Sequence, residues 1–305
     1  MFTLGVLGVC LIALTTNSAA QPSESSKSRN RGWATTFETG GTYQPNASLD
    51  GGGDFGVSRF SFGTSLGYRL RQQDTFAFSV GYEHHSYDFD GPNALAATAP
   101  WSTFHNLSLA IPLRLQLNQD WSMIAVPMIR LTAEETGDFD NAVNGGGIVG
   151  FSYEVNPRFK IGPGFGVLTQ VEDSTSFFPV LVIDWTIAKR WRLQTGRSFA
   201  ASQGPGLTIS YELNSSWQLV AGGRFERLRF RLSDAGVQPE GIGEDRNASV
   251  FLGARYTLAG RGSIGVFAGM NFAGELRLEN ATGNRVAAAD YDTVPIVGAN
   301  LQLRF

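Results

Sequence analysis

Five short polar turns in this chain are each followed at once by an aromatic residue. They are Gln72-Gln-Asp-Thr75 before Phe76, Asn118-Gln-Asp120 before Trp121, Asn156-Pro-Arg158 before Phe159, Ala188-Lys-Arg190 before Trp191 and Asn214-Ser-Ser216 before Trp217. A further turn, Ala259-Gly-Arg-Gly262, fits the series without the aromatic. Asn, Asp, Gly and Pro suit such turns because they tolerate positive φ or pre-set it. Between the turns lie alternating apolar and polar runs. These are joined by longer loops near 45–55, 88–101, 134–145, 172–177, 199–205, 233–247 and 279–292, rich in Gly, Asp, Asn, Glu and Pro. An aromatic directly after so many turns is hard to place in a soluble sandwich. At a membrane boundary it forms a girdle, because Trp favours the headgroup region. Short turns on one side and long loops on the other complete the asymmetry of a membrane-spanning barrel.

The chain ends on a strand of the same kind. Val297, Ala299, Leu301, Leu303 and Phe305 share one face, and Gly298, Asn300, Gln302 and Arg304 share the other. An apolar outer face backed by a polar inner one suits a wall between lipid and water. The strand resembles the C-terminal signal of bacterial outer-membrane barrels, where a final aromatic is read by the barrel-assembly machinery. A globular edge strand has the same period. Counting runs gives about fourteen strands from Trp33 to Phe305, hence an all-β, single antiparallel transmembrane barrel over 33–305. Closure then predicts that the last strand pairs with Trp33–Tyr43. The girdle on the turn side comprises Phe76, Trp121, Phe159, Trp191, Trp217 and Phe305.

Composition agrees. Charged residues are 17% of the 305, below the usual quarter of a soluble domain. After the first twenty residues no apolar run approaches the roughly 18 needed for a spanning helix, and only helices and closed barrels satisfy their backbones in lipid. A net charge of −3 argues against nucleic acid as a partner. Residues 1–20 read as a signal peptide, with an apolar run from Phe2 to Leu14 and small residues to Ala20, although no Lys or Arg opens it. Leu7-Gly-Val-Cys10 loosely matches a lipoprotein box, with Val9 too large before the cysteine. Cleavage after Ala20 leaves no cysteine, so neither disulfides nor thiolate chemistry are expected. The Ser-rich, aperiodic stretch 21–32 reads as a flexible periplasmic linker.

Pro112, Pro127, Pro163, Pro179 and Pro295 fall in or near strands, where bulges or strand ends are expected. A parity change between Phe225 and Leu228 predicts a bulge there. If the apolar parity faces lipid, the opposite parity lines the lumen with Arg59, Arg69, Arg71, Glu83, Arg114, Arg130, Glu154, Asp184, Arg192, Glu212, Arg224, Glu226, Arg255 and Arg304. Such a lining is either a selective polar conduit for small solutes or a set of Arg–carboxylate braces in a filled interior. Inward glycines, among them Gly162, Gly164 and Gly166, fit both.

Other motifs are weaker. Gly51–Gly56 and Gly145–Gly150 match the dinucleotide pattern but run into strands, whereas that mechanism needs a helix opening on the last glycine. No cofactor is therefore expected. His84 and Ser86 share the lipid-facing parity of a strand and loosely resemble the His-x-Ser pair of outer-membrane lipid A deacylases. As general base and nucleophile they would make an envelope-lipid hydrolase, though no third partner is evident; polar groups at the headgroup boundary are the plainer reading. His105 stands alone, so a histidine metal site lacks support. The loop carrying Asp234, Glu240, Glu244 and Asp245 is acidic and glycine-rich, which suits either Ca²⁺ or plain solvation.

Several stretches resemble a family of bacterial outer-membrane β-barrels of unknown function: Gly52-Gly-Asp-Phe-Gly-Val-Ser-Arg-Phe60, Gly81-Tyr-Glu-His-His-Ser-Tyr-Asp-Phe89, Gly162-Pro-Gly164, Phe178-Pro-Val-Leu-Val-Ile-Asp-Trp185, Gly204-Pro-Gly206, Phe230-Arg-Leu232 and Gly241-Ile-Gly-Glu-Asp245. The resemblance implies a barrel in the outer membrane, in contact with its lipid, and no particular substrate.

Overall fold

The structure is a computed structural model that describes residues 32–305 except 72, 93, 136–141, 172–173, 197–205 and 260. The expected signal peptide, Cys10 and nearly all of the expected linker lie outside the described residues. So do Gln72, the whole expected loop 199–205 and parts of the expected loops near 88–101, 134–145 and 172–177.

Among the described residues, sixteen strands and one short helix follow in order. The first half comprises β1 (Trp33–Ser48), β2 (Asp54–Arg69), β3 (Thr75–Asp90), α1 (Ala94–Thr98), β4 (Thr103–Ala110), β5 (Leu113–Gln116), β6 (Trp121–Glu134), β7 (Val143–Asn156) and β8 (Phe159–Thr169). The second comprises β9 (Thr175–Ala188), β10 (Trp191–Gly196), β11 (Gly206–Glu212), β12 (Trp217–Arg231), β13 (Ile242–Leu258), β14 (Gly262–Glu279), β15 (Arg285–Tyr291) and β16 (Val294–Arg304). Neighbours pair antiparallel round a closed ring, with β13 on β14 and β16 on β1. β4 and β5 are two pieces of one stave, since both pair with β3 and β6. β15 and β16 likewise share β14. The ring therefore has fourteen staves.

The first and last staves meet where closure requires. Thr36 opposes Arg304, the register runs to Tyr43 opposite Val297, and Thr35 and Phe305 exchange backbone hydrogen bonds of 3.0 and 2.9 Å. The turn chemistry is visible too. Asn118 Oδ1 accepts from the N–H of Asp120 (3.0 Å) and Trp121 (2.9 Å), and Asn214 Oδ1 accepts from Ser216 and Trp217 at 2.9 Å. An Asn side chain mimicking a backbone turn thus fixes where the following Trp emerges. Each such aromatic faces a second one on the adjacent strand: Trp121 with Tyr153, Phe159 with Trp185, Trp191 with Tyr211, Trp217 with Tyr256, and Phe76 with Tyr68 and Trp33. Phe305 meets Phe37 edge-on.

The prolines behave unequally. Pro112 lies in the gap between β4 and β5, where its carbonyl still accepts from Ala77 N (2.9 Å), and Pro295 is the second residue of β16. Pro127 and Pro179 sit inside strands with unbroken register, contrary to expectation. Beside Pro163 the β7–β8 ladder skips from Gly150–Gly164 to Tyr153–Ile161 without a register shift, because proline has no N–H to give.

The bulge expected between Phe225 and Leu228 is absent. β12 and β13 stay in register from Trp217–Tyr256 to Arg231–Ile242. What changes along β12 is the environment: below, the outward residue Phe225 is 58% exposed, and above it the inward residues Leu228 and Phe230 are buried. The real irregularity is one stave further on, where the β13–β14 register shifts at Asn247 and Ala273 takes a positive φ of 51°.

Inward glycines make room for side chains. A Cβ on Gly166 would stand 1.8 Å from the Phe178 ring, which lies over it from the neighbouring stave. Gly166→Ala is expected to cost about 1–3 kcal/mol through overpacking, read as a fall in the urea midpoint of the lipid-reconstituted protein. Phe178→Leu in the same chain should restore most of it. An unchanged midpoint in the single variant would contradict this packing.

Candidate functional site

The interior has three levels. Nearest the short turns, its side chains are polar and partly exposed. Arg192 forks onto Asp184 (2.8 and 2.7 Å), Lys160 pairs with Glu154 (2.5 Å), Arg255 donates to Gln218 (3.2 Å) and Gln302 donates to Glu38 (2.7 Å). Arg69 and Arg114 lie on the inward parity at this end, and Glu212 and Arg304 stand exposed at its rim. Arg71 is a correction. It follows β2 in the turn, its side chain is 83% exposed, and it lies 4.0 Å from Asp74 rather than within the lumen. Glu38 and Lys160 were missed, although strict parity through β1 and β8 would have placed both inward.

Higher up, the polar groups are buried. Arg59 on β2 reaches across to Glu226 on β12 (2.9 Å) and Asp245 on β13 (3.0 Å). Asp245 also accepts from the hydroxyls of Tyr87 (2.7 Å) and Tyr291 (3.0 Å). Arg224 Nη2 is 3.9 Å from Glu226, and its side chain is 1% exposed. Beside them Glu83 meets His85 (3.3 Å) and Asn106 (2.9 Å), and Thr132 donates to Asn106 (3.2 Å). Ser249, Asn271 and Gln44 extend the layer through bonds of 2.6 and 2.8 Å. One acidic pair is thereby corrected. Glu244 and Asp245 are sequence neighbours on a strand, so they face opposite sides of the wall and cannot share a metal. Glu240 sits in a turn at φ 51° with Asp234 in the same loop, and no three His, Cys, Asp or Glu residues among those described are grouped to hold an ion.

Above the charges lies a buried aromatic plug. The loop after β3 turns inward, bringing Leu95 of α1 and Trp101 to 1% exposure among Phe55, Phe104, Leu228, Phe230 and Leu276. Phe104 and Phe230 stack with centroids 4.0 Å apart and planes 11° apart. Their staves, β4 and β12, are half-way round the ring from each other. Opposite walls therefore touch.

They touch because the mouth is pinched. The described pairing of β12 with β11 ends at Arg224–Gly206, and further up Arg231 bridges directly to Ala133 of β6. Arg231 also donates to the carbonyls of Glu240 (2.8 Å) and Val171, and Ser233 N donates to Glu134 (3.0 Å). The upper part of β12 thus crosses the mouth, and its outward arginines face the inner surface of β6–β8. There they line a small cavity of about 40 Å³ together with Arg130. Arg227 and Arg229 both bind Glu244 Oε2 at 2.7 Å, and Arg229 reaches Glu279 at 2.7 Å. An inner apolar belt of Val126, Met128, Ile148, Leu168 and Phe178 adjoins this cavity.

His84 and Ser86 lie on the outer face of β3. His84 is 5.2 Å from the His105 ring, His105 Nδ1 is 2.8 Å from the Tyr82 hydroxyl, and Ser86 stands opposite Ser58 and Thr103. No hydrogen bond joins His84 to Ser86 among the described residues.

Known structures share the architecture at low identity. An outer membrane channel from Pseudomonas putida F1 is 12% identical, with a TM-score of 0.50, covering 92% of this chain and 100% of that one. A FadL homologue from Pseudomonas aeruginosa is 11% identical at a TM-score of 0.47, over 89% of each chain. The toluene transporter TodX from P. putida is 10% identical at 0.46, over 89% of this chain and 90% of that one. At this identity the likeness to the first of these establishes the fold alone, a barrel of the type seen in that outer membrane channel. No curated protein matches the chain. Residues 71–300, well over half of the sequence, match the family described as a domain of unknown function, DUF6268, and the chain belongs to that family.

Proposed function

We propose that this protein spans a bacterial outer membrane and works as a gated conduit for small solutes, shut in the conformation described here. The barrel wall supports the location. Its outward face carries exposed Phe60, Phe62, Phe165, Leu181, Leu252 and Val266, bounded at the turn side by paired aromatics, as a lipid-facing band requires. Surrounding lipid is then one partner, and the assembly machinery that reads the β16 strand is another.

One observation carries the conduit reading. The buried layer in the path retains donors without hydrogen-bond partners: Nε of Arg59, Nε and Nη1 of Arg224 and Nδ2 of Asn247. Filling a barrel for strength alone favours apolar side chains, because buried charge pairs seldom out-stabilise hydrophobic replacements. Incompletely paired charges between a polar vestibule and a plug fit a path that opens. The contact of Phe104 with Phe230 across the ring favours a second reading, a permanently blocked structural barrel.

Planar bilayers separate the two. The wild-type protein should be silent or open only briefly. A variant with residues 94–101 replaced by a short Gly-Ser linker should give stable conductance steps. Silence from both, with the variant shown to be inserted and folded, would leave the blocked barrel as the answer.

A further inference from the structure

The small cavity at the pinched mouth has an uneven lining. Three guanidiniums, Arg130 from β6 and Arg227 and Arg229 from β12, converge on it, and no carboxylate is among the residues that line it. The glutamates that hold Arg227 and Arg229 approach from beyond the cavity, on β13 and β14. Nε of Arg227 and Oδ1 of Asn144, both from lining residues, are buried without hydrogen-bond partners. Met128 of β6 and Leu168 of β8, both members of the inner belt, give the lining an apolar part, beside the polar Thr132, Asn144, Thr169 and Gln170. A volume of about 40 Å³ has room for about three waters, which is the size of a head group and not of a whole solute.

We propose that this pit binds the carboxylate of an amphiphilic solute, with the apolar body of the molecule directed toward Met128 and Leu168. Guanidinium forks suit a planar carboxylate, since two parallel N–H donors meet its two oxygens. The apolar edge distinguishes the ligand from a bare inorganic anion, which would gain nothing from Met128 and Leu168. The inference rests on the conduit reading and specifies what the conduit takes.

The test measures equilibrium binding to the full protein in nanodiscs, with hexanoate, hexanol, hexylammonium and inorganic phosphate as probes. Hexanoate should bind at least tenfold more tightly than the other three. Arg130→Gln and Arg227→Gln should each weaken hexanoate about tenfold, or about 1.4 kcal/mol, and shrink its advantage over hexanol. Glu244 stays held by Arg229 in the second variant, so the wall is preserved. Asn144→Asp adds one negative charge with almost no change of shape. It should abolish the hexanoate preference and improve hexylammonium. Equal binding of hexanol, equal binding of phosphate, or an unchanged hexanoate-to-hexanol ratio in all three variants would overturn the proposal. Proteoliposome uptake separates it from the conduit reading. Binding without uptake leaves the site standing and removes the conduit, whereas uptake indifferent to head-group charge does the reverse.

Discussion

Arg59→Ala is expected to lower stability by about 3–5 kcal/mol, the range for breaking a buried ion pair from one side. Arg59 is the hub of the charged layer. Its two Nη atoms bind carboxylates on two other staves, and all three side chains are at most 5% exposed. Removing the guanidinium leaves Asp245 with two tyrosine hydroxyls and Glu226 with Arg224 at 3.9 Å. Neither arrangement replaces the two short ion pairs in so deeply buried a site. The loss is mostly the desolvation of stranded carboxylates rather than the worth of the pair itself. Arg59→Met combined with Glu226→Gln and Asp245→Asn should therefore recover most of it, since no uncompensated charge remains. Urea unfolding of the reconstituted protein measures both. An Arg59→Ala midpoint equal to wild type would mean that the layer is wet and the charges are screened.

That layer shows what the sequence makes legible and what it hides. Parity along β2 puts Arg59 indoors, and parity along β12 does the same for Arg224 and Glu226, because each strand alternates against exposed phenylalanines. Asp245 could not be assigned that way. Its neighbours on β13 are Glu244 and Arg246, so both parities look polar and the stretch reads as a solvated loop. The reason is physical. Above the proposed lipid boundary the outer face of the wall carries charges, and the inner face meets the plug, so the usual apolar-out pattern inverts. The same inversion made Leu228 look like the sign of a bulge when β12 was in unbroken register. The positions of Trp121 and Trp217 follow from their turns, because the Asn that forms each turn also places the aromatic. Those of their cross-strand partners Tyr153 and Tyr256 do not, since register with a neighbouring strand is set by pairing and not by local sequence. The pinch between β12 and β6 has no local signal at all. It rests on the bridge from Arg231 to Ala133 and the hydrogen bond from Ser233 to Glu134, between segments nearly a hundred residues apart.

Phe230→Ala should cost about 3–5 kcal/mol and should also loosen the outer closure. The ring is fully buried, stacked on Phe104 at 4.0 Å and set edge-on to Trp101 at 5.4 Å. Its loss leaves a hole between opposite staves that backbone relaxation cannot fill, because both staves are fixed in the sheet. Phe225→Ala on the same strand is the natural control. Phe225 is 58% exposed on the outer face, where its removal leaves no enclosed hole, so it should cost much less. A cycle with Phe104→Ala isolates the stack itself, which should couple by about 0.5–1.5 kcal/mol. If the plug is the gate, Phe230→Ala should raise opening frequency in bilayers while Phe225→Ala leaves it unchanged. A destabilised Phe230→Ala barrel that stays silent would show that the aromatic contact holds the walls together without controlling passage. Equal losses from Phe225→Ala and Phe230→Ala would instead contradict the inversion of the wall on which the plug depends.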